Sequence, residues 1–249
     1  MMRRKLQLLI YSFLARHRIF HYLLFKILKS KDFLDKSFDK IISDYSKKNK
    51  DFFFIQIGAN DGLKADPIYL YVRKYGWKGI LVEPVNYIFK KLKKNYKGVP
   101  NIYLENVAIA DKEGYKNFYR LKKISGENYP LWYDEIGSFL KENVLKHKDK
   151  FPDLENYLMV EKIKCLTLKS LFKKYQLKKI DFLQIDVEGY DYHIVKQIPF
   201  DKIKPKIIRY EDRHLPKEQQ EYCKNLLIKN GYKILQITGD TLAYLKDSH

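Results

Sequence analysis

The sequence predicts an α/β fold: a mostly parallel sheet flanked by helices, closed by an antiparallel C-terminal hairpin and preceded by a helical N-terminal extension. Three observations predict it. From Asp51 onward, short apolar runs alternate with Lys-rich helical stretches, the pattern of parallel βαβ units covered on both faces. The last two apolar runs are separated only by Thr238-Gly239-Asp240-Thr241, too short for a crossover helix and so a hairpin at the sheet edge. Before Asp51 the texture is different, with apolar residues spaced three and four apart among basic ones, an amphipathic helical pattern.

That extension, residues 1–50, carries Leu6, Leu9, Ile10, Phe13 and Leu14, then Phe20, Leu23, Leu24, Ile27 and Leu28 between Met2 and Ser30. Arg3, Arg4, Lys5, Arg16, Arg18, Lys26 and Lys29 interrupt it. A spanning helix needs about 20 largely uncharged residues, which no window here supplies, and no small-residue cleavage site follows to suggest a signal peptide. Two readings stand: helices packed on the core or on a second subunit, or basic helices lying on an anionic membrane face.

The second part, residues 51–249, starts with the strand Phe52–Ile57. Further strands follow at Gly79–Val82, Ile102–Asn106, Phe182–Ile185 and Lys206–Tyr210, with the hairpin formed by Tyr232–Ile237 and Leu242–Leu245. Helices are predicted over Pro67–Tyr75, Tyr87–Tyr96, Leu168–Tyr175, Tyr190–Gln197 and Lys217–Asn230. Residues 115–160 break the alternation and read as an aromatic, charged insertion covering the substrate. With 45% hydrophobic residues the chain is rich enough in apolar groups to fold as one such domain with added elements. The two cysteines, Cys165 and Cys223, lie in apolar-periodic segments and are read as buried reduced thiols, pointing to a cytoplasmic compartment.

A formal charge of +19 attracts polyanions: phosphorylated or nucleotide-linked substrates, an acidic membrane, or nucleic acid. The charge is spread as Lys pairs such as Lys90-Lys91 and Lys173-Lys174. No Arg-rich run or aromatic RNA-binding motif accompanies it, so nucleic acid is the less favoured partner.

The first strand runs directly into Gly58-Ala59-Asn60-Asp61-Gly62, and the second ends in Glu83, about 20 residues on, where an acid accepts hydrogen bonds from ribose hydroxyls. Dinucleotides and S-adenosylmethionine both use this arrangement. The loop lacks the third, spaced glycine that a pyrophosphate demands, and its Asn60 and Asp61 suit a cationic, amino-acid-bearing ligand. Past the fourth strand come Asp186, Glu188 and Asp191, and past the fifth Glu211, Asp212 and His214. Asp186 with Glu211 or Asp212 makes an all-oxygen set suited to Mg²⁺ on vicinal hydroxyls. The other reading is that these acids cap strand ends or bind substrate hydroxyls without metal.

The motifs Ile57-Gly58-Ala59-Asn60-Asp61-Gly62, Val82-Glu83-Pro84, Asn106-Val107-Ala108-Ile109, Thr167-Leu168, Ile180 through Gly189 and Pro205 through Glu211 together resemble the FkbM family of methyltransferases. The most distinctive element is Asp186-Val187-Glu188-Gly189. The resemblance implies a class I (Rossmann-like) methyltransferase fold, S-adenosylmethionine as methyl donor and a hydroxyl acceptor on a sugar or related metabolite. It further implies that Gly58 and its neighbours underlie the methionine part, that Glu83 holds the ribose and that Asn106, Val107 and Ala108 border the adenine. Gln56 departs from the commoner family pattern, leaving the contact to the donor's amino group open. Ile136-Gly137-Ser138-Phe139, followed by Lys146-His147, is similar to a segment in part of the family. These readings make Asp186, His147 and Glu211 the candidate catalytic residues, and Ser138, Trp132, Glu188 and His214 the candidate acceptor contacts. The expected partner is a sugar or sugar nucleotide, or a surface-polysaccharide precursor. RNA methylation and a non-enzymatic scaffold in glycan assembly are the alternatives, and a homo-oligomer and peripheral contact at the inner membrane face are compatible with the sequence.

Overall fold

A computed structural model describes residues 36–63, 66, 68–122, 133, 135–237 and 239–245. The stretch Met2–Ser30 lies outside them, and with it the choice between core, subunit and membrane contact. Among the described residues no helix is long and apolar enough to cross a membrane.

The elements run α1 (Lys36–Lys48), β1 (Phe53–Ile57), α2 (Ile68–Tyr75), β2 (Lys78–Val82), α3 (Asn86–Asn95), β3 (Ile102–Glu105), β4 (Ala108–Ile109) and β5 (Gly114–Leu121). There follow α4 (Lys141–Leu145), α5 (Leu154–Tyr157), β6 (Leu158–Leu166), α6 (Leu168–Lys174), β7 (Phe182–Ile185) and α7 (Asp191–Val195). The chain closes with β8 (Ile207–Glu211), α8 (Lys217–Lys229), β9 (Lys233–Ile237) and β10 (Asp240–Tyr244). The main sheet has seven strands in the order β3-β2-β1-β7-β8-β10-β9. β1 pairs in parallel with both β2 and β7, so the strand order reverses there. β10 runs antiparallel to β8 and to β9. This is the expected mostly parallel sheet, with the antiparallel hairpin at its edge.

Parallel strands buried on both faces must be apolar on both. One face carries Phe54, Phe182, Ile207 and Leu242, the other Ile55, Ile57, Leu183, Ile185 and Ile208. α6, α7 and α8 cover the second face through Leu168, Leu171, Ile194, Val195, Cys223 and Leu227. α1 and α2 cover the first. Phe38, Ile42 and Tyr45, spaced four and three apart, turn α1 onto the sheet. Trp77 stacks on Phe52 at 4.2 Å and donates its indole N–H to Ser46 at 3.2 Å. Residues 36–48 are therefore built into the same core as the sheet. Cys165 and Cys223 are free and buried.

The insertion contains strands that the sequence did not announce. β4, β6 and β5 form a separate three-stranded sheet, β5 and β6 pairing antiparallel from Gly114 opposite Cys165 to Leu121 opposite Leu158. Alternation is weak because the wet face also carries apolar residues: Tyr115 and Val160 are exposed while Phe118, Ile163 and Cys165 turn inward. That inward face packs on Val85 and Ile88 at the start of α3, placing the small sheet over the carboxyl edge of the main one.

Candidate active site

A cavity of about 330 Å³ opens at the carboxyl ends of β1, β2, β7 and β8, where ligands bind in open α/β sheets. At its centre β1 exits against β7. Gly58 has φ +82°, and a Cβ there would overlap the carbonyl oxygen of Asp186. Glycine is needed at this point because two strand exits touch, and only secondarily because a ligand approaches. The Gly58 and Ala59 amides both donate to the Val82 carbonyl, at 3.0 Å each. Glu83, buried, accepts the Asn60 amide at 3.0 Å and the Val85 amide at 2.8 Å. A carboxylate oxygen can accept more than one hydrogen bond.

One end of the cavity is apolar, walled by Val85, Ile88, Val107, Ala108 and Phe118. The other is charged, walled by Asp186, Glu188, Arg209, Glu211, Arg213 and Asp240. Between them lies a polar row across neighbouring strands, Gln56 opposite Gln184 and Gln184 opposite Arg209. Gln56 donates to Asp66 at 3.2 Å, while the carbonyl oxygens Gln56 Oε1 and Gln184 Oε1 are buried without a donor. Arg209 is held by Asp240, with Nε to Oδ2 at 2.8 Å.

The acids here are short of positive charge. Burial, then Glu211 and Asp240, raise Asp186 to about 7. Burial raises Asp66 to about 6 and drives Glu188 well above the usual carboxylate range. Glu211 is raised by burial despite its Arg213 partner. Two unsatisfied carbonyls and several reluctant carboxylates around one cavity fit a cationic ligand with N–H donors.

Residues 56–246 match the methyltransferase FkbM domain family. The chain belongs to the FkbM methyltransferase family. Similar solved structures include the FkbM methyltransferase of Methylobacillus flagellatus KT, at 10% identity and TM-score 0.48, covering 78% of this chain and 44% of that one. They also include the fibrillarin pre-rRNA processing protein of Methanococcus jannaschii, at 13% identity and TM-score 0.39, covering 79% of this chain and 67% of that one. A third is precorrin-6y C5,15-methyltransferase of Geobacter metallireducens GS-15, at 10% identity and TM-score 0.41, covering 87% of this chain and 92% of that one. The chain thus spans less than half of the M. flagellatus protein. No curated protein matches it.

In this FkbM methyltransferase the cavity collects Gln56, Gly58, Ala59, Asn60, Glu83, Val107, Ala108, Asp186, Glu188 and Glu211 among the residues singled out from sequence. Others serve the site from outside. Asp61 Oδ1 accepts the Leu63 amide at 3.0 Å, and Gly62 packs against Leu92 and Tyr96. Both shape the loop rather than the cavity wall. Asn106 is turned back to donate to the Glu83 and Pro84 carbonyls, at 2.9 Å each, so it fixes the exit of β2 instead of bordering the cavity. Asp212, proposed with Asp186 and Glu211 as a metal set, accepts from Thr241 Oγ1 at 2.6 Å and from Gln236 Nε2 at 2.9 Å. Its carboxylate is occupied within the β8–β10 edge, and that triad does not form.

His147 sits on a 3₁₀ turn, Lys146–Asp149, with its ring 6.3 Å from that of His214, and it does not line the cavity. Trp132 lies outside the described residues. Sequence reasoning missed Asp66, Gln184, Arg209, Arg213 and Asp240; a Gln and an Arg inside otherwise apolar strands were the signal.

Ser138, expected as an acceptor contact, is hydrogen-bonded to backbone. Fully buried, it donates to the Glu188 carbonyl at 2.8 Å, and Asn143 Nδ2 donates to the same oxygen at 2.7 Å. Glu188 has φ +53°, a strained conformation for a non-glycine residue. The two bonds hold it there and point its carboxylate into the cavity. We expect Ser138→Ala and Asn143→Ala each to cost about 1–2 kcal/mol in urea unfolding. Each should also lower turnover while leaving donor affinity within a factor of about three, on the order of half a kcal/mol.

Proposed function

We propose that this chain is an S-adenosylmethionine-dependent O-methyltransferase whose acceptor is a hydroxyl of a carbohydrate, nucleotide-linked or part of a surface-polysaccharide precursor. The observation that carries the reading is Asp186. It is a carboxylate at the charged end of the cavity, beside the Gly58 loop, raised to about 7. The donor supplies an electrophilic sulfonium methyl. What remains for the protein is to align an oxygen and take its proton, which a base poised near neutrality does best.

The donor's parts match what the cavity offers. Gln56 Oε1 and Gln184 Oε1 would accept from its ammonium group, Glu83 from the ribose, and Val107 and Ala108 would flank the adenine. At the other end, Glu188, Glu211, Arg209, Arg213 and Asp240 form a dense set of charged hydrogen-bonding groups, suited to a polyhydroxyl acceptor rather than an apolar one. The formal charge of +19 suits a phosphate-bearing one.

The test is incubation with isotopically labelled donor and separate panels of nucleotide sugars, lipid-linked glycans and transfer RNA, followed by mass spectrometry. A methyl ether on a sugar hydroxyl is the expected product. Labelling of RNA with the sugar panels untouched would overturn the proposal.

A further inference from the structure

At the charged end of the cavity two of its lining carboxylates, Glu188 and Glu211, converge with His214, which lies outside the lining. Donor atoms of Glu188, Glu211 and His214 all lie within 4.8 Å of one another. His214 Nε2 is 3.7 Å from Glu188 Oε2 and 3.6 Å from Glu211 Oε2. Those separations are too long for hydrogen bonds. They are close to the spacing of two ligands on one ion, since donors about 2.1–2.2 Å from a metal stand roughly 3–3.6 Å apart at the angles metals prefer.

A second, independent observation points the same way. Glu211 is only 3% exposed, and its Oε2 has no hydrogen-bond donor. Its Oε1 is taken by the Arg213 guanidinium. A buried carboxylate oxygen without a partner is costly, and this one is aimed at the gap between Glu188 and His214. His214 does not fill the gap. Its Nε2 stands 3.6 Å from Glu211 Oε2 and 3.7 Å from Glu188 Oε2, outside hydrogen-bond reach of both. The backbone investment is also here, in the positive φ of Glu188 and the two side chains that hold it.

We propose that Glu188, Glu211 and His214 bind one divalent cation of the Mn²⁺ type. Two carboxylates and one imidazole suit such an ion better than a set of purely hard oxygens, which would favour Mg²⁺ or Ca²⁺. Two of these residues line the charged end of the cavity, and an acceptor oxygen bound to such an ion would lose its proton more readily. Cation binding rests on these three residues alone; its part in activating a hydroxyl rests on the methyl-transfer reading.

The experiment titrates MnCl₂ into the EDTA-stripped, dialysed full chain, reading free Mn²⁺ by electron paramagnetic resonance. One Mn²⁺ per chain is expected. His214→Gln and Glu211→Gln should each weaken binding at least tenfold, and Asp201→Asn, outside the cluster, should leave it unchanged. Thermal unfolding of each variant establishes that it is folded, and if Glu211→Gln is not, His214→Gln decides. No stoichiometric uptake, or undiminished binding by folded His214→Gln, overturns the proposal. Calorimetry with S-adenosylmethionine in EDTA runs alongside. Donor binding without Mn²⁺ uptake sinks the cation site and leaves the methyltransferase reading intact; Mn²⁺ uptake without donor binding does the reverse.

Discussion

Gly58→Ala will abolish donor binding and destabilise the domain by about 4 kcal/mol or more. The added methyl would overlap the Asp186 carbonyl oxygen, and the residue would have to hold φ at +82°. Neither strand can retreat. β1 and β7 are paired through Ile57 opposite Ile185, and the Asp186 amide already donates to the Ile57 carbonyl at 2.9 Å. Relief therefore requires parting the two central strands at the point where the cavity begins. Gly76 supplies the control. Its φ is +67°, but nothing lies within 4 Å of a Cβ there. Gly76→Ala should cost only about 1 kcal/mol. Urea unfolding of both variants, with donor calorimetry, separates the two effects; equal costs would mean that conformational strain alone, and not the strand contact, sets the glycine requirement.

Asp186→Asn should trade activity for stability. Turnover is expected to fall about 10²–10⁴-fold, with donor affinity changed far less. In the wild type, kcat should rise with pH through about 7 and then level, because the carboxylate must be ionised to accept a proton; the variant should lose that rise. The stability argument has the opposite direction. A carboxyl raised from its ordinary 3.8 to about 7 in the fold binds its proton more tightly folded than unfolded. Its contribution is fully present below pH 4 and lost as pH climbs through 7. At pH 8 the wild type therefore carries a penalty, shared with Glu211 and lessened by solvent at the exposed Asp186 side chain, that Asn does not. The variant should melt at a higher temperature than the wild type at pH 8, with the gap narrowing toward pH 5. A variant equally active, or less stable than wild type at pH 8, would remove Asp186 from the proposed chemistry.

The main sheet was legible because its signal is local. Phe53-Phe54-Ile55 and Phe182-Leu183 are continuous apolar runs between Lys-rich helices, and a strand buried on both faces has no other composition. β5 and β6 were not legible in this way. Their one dry face is read only through Phe118, Ile163 and Cys165, and the alternating Lys162 and Lys164 resemble a solvated loop until the partner strand is in place. α1 reads as basic helix, and its docking depends on Trp77 and Phe182, far along the chain.

The sequence by itself determined the fold class, the glycine loop after β1 and the acid at the end of β2, because each depends on residue types at fixed short spacing along one strand–turn–helix unit. Only the tertiary structure decided which acids share a space. Asp212 and Glu211 are neighbours in sequence, yet one is bound into the β10 edge and the other faces the cavity. Ser138 lies fifty residues from Glu188 and holds its carbonyl. His214 lies within 4 Å of both Glu188 and Glu211, whereas His147 does not line the cavity. The physical reason is that side-chain direction at a strand's end is set by which neighbouring strands and loops supply hydrogen bonds there, and those neighbours come from distant parts of the chain.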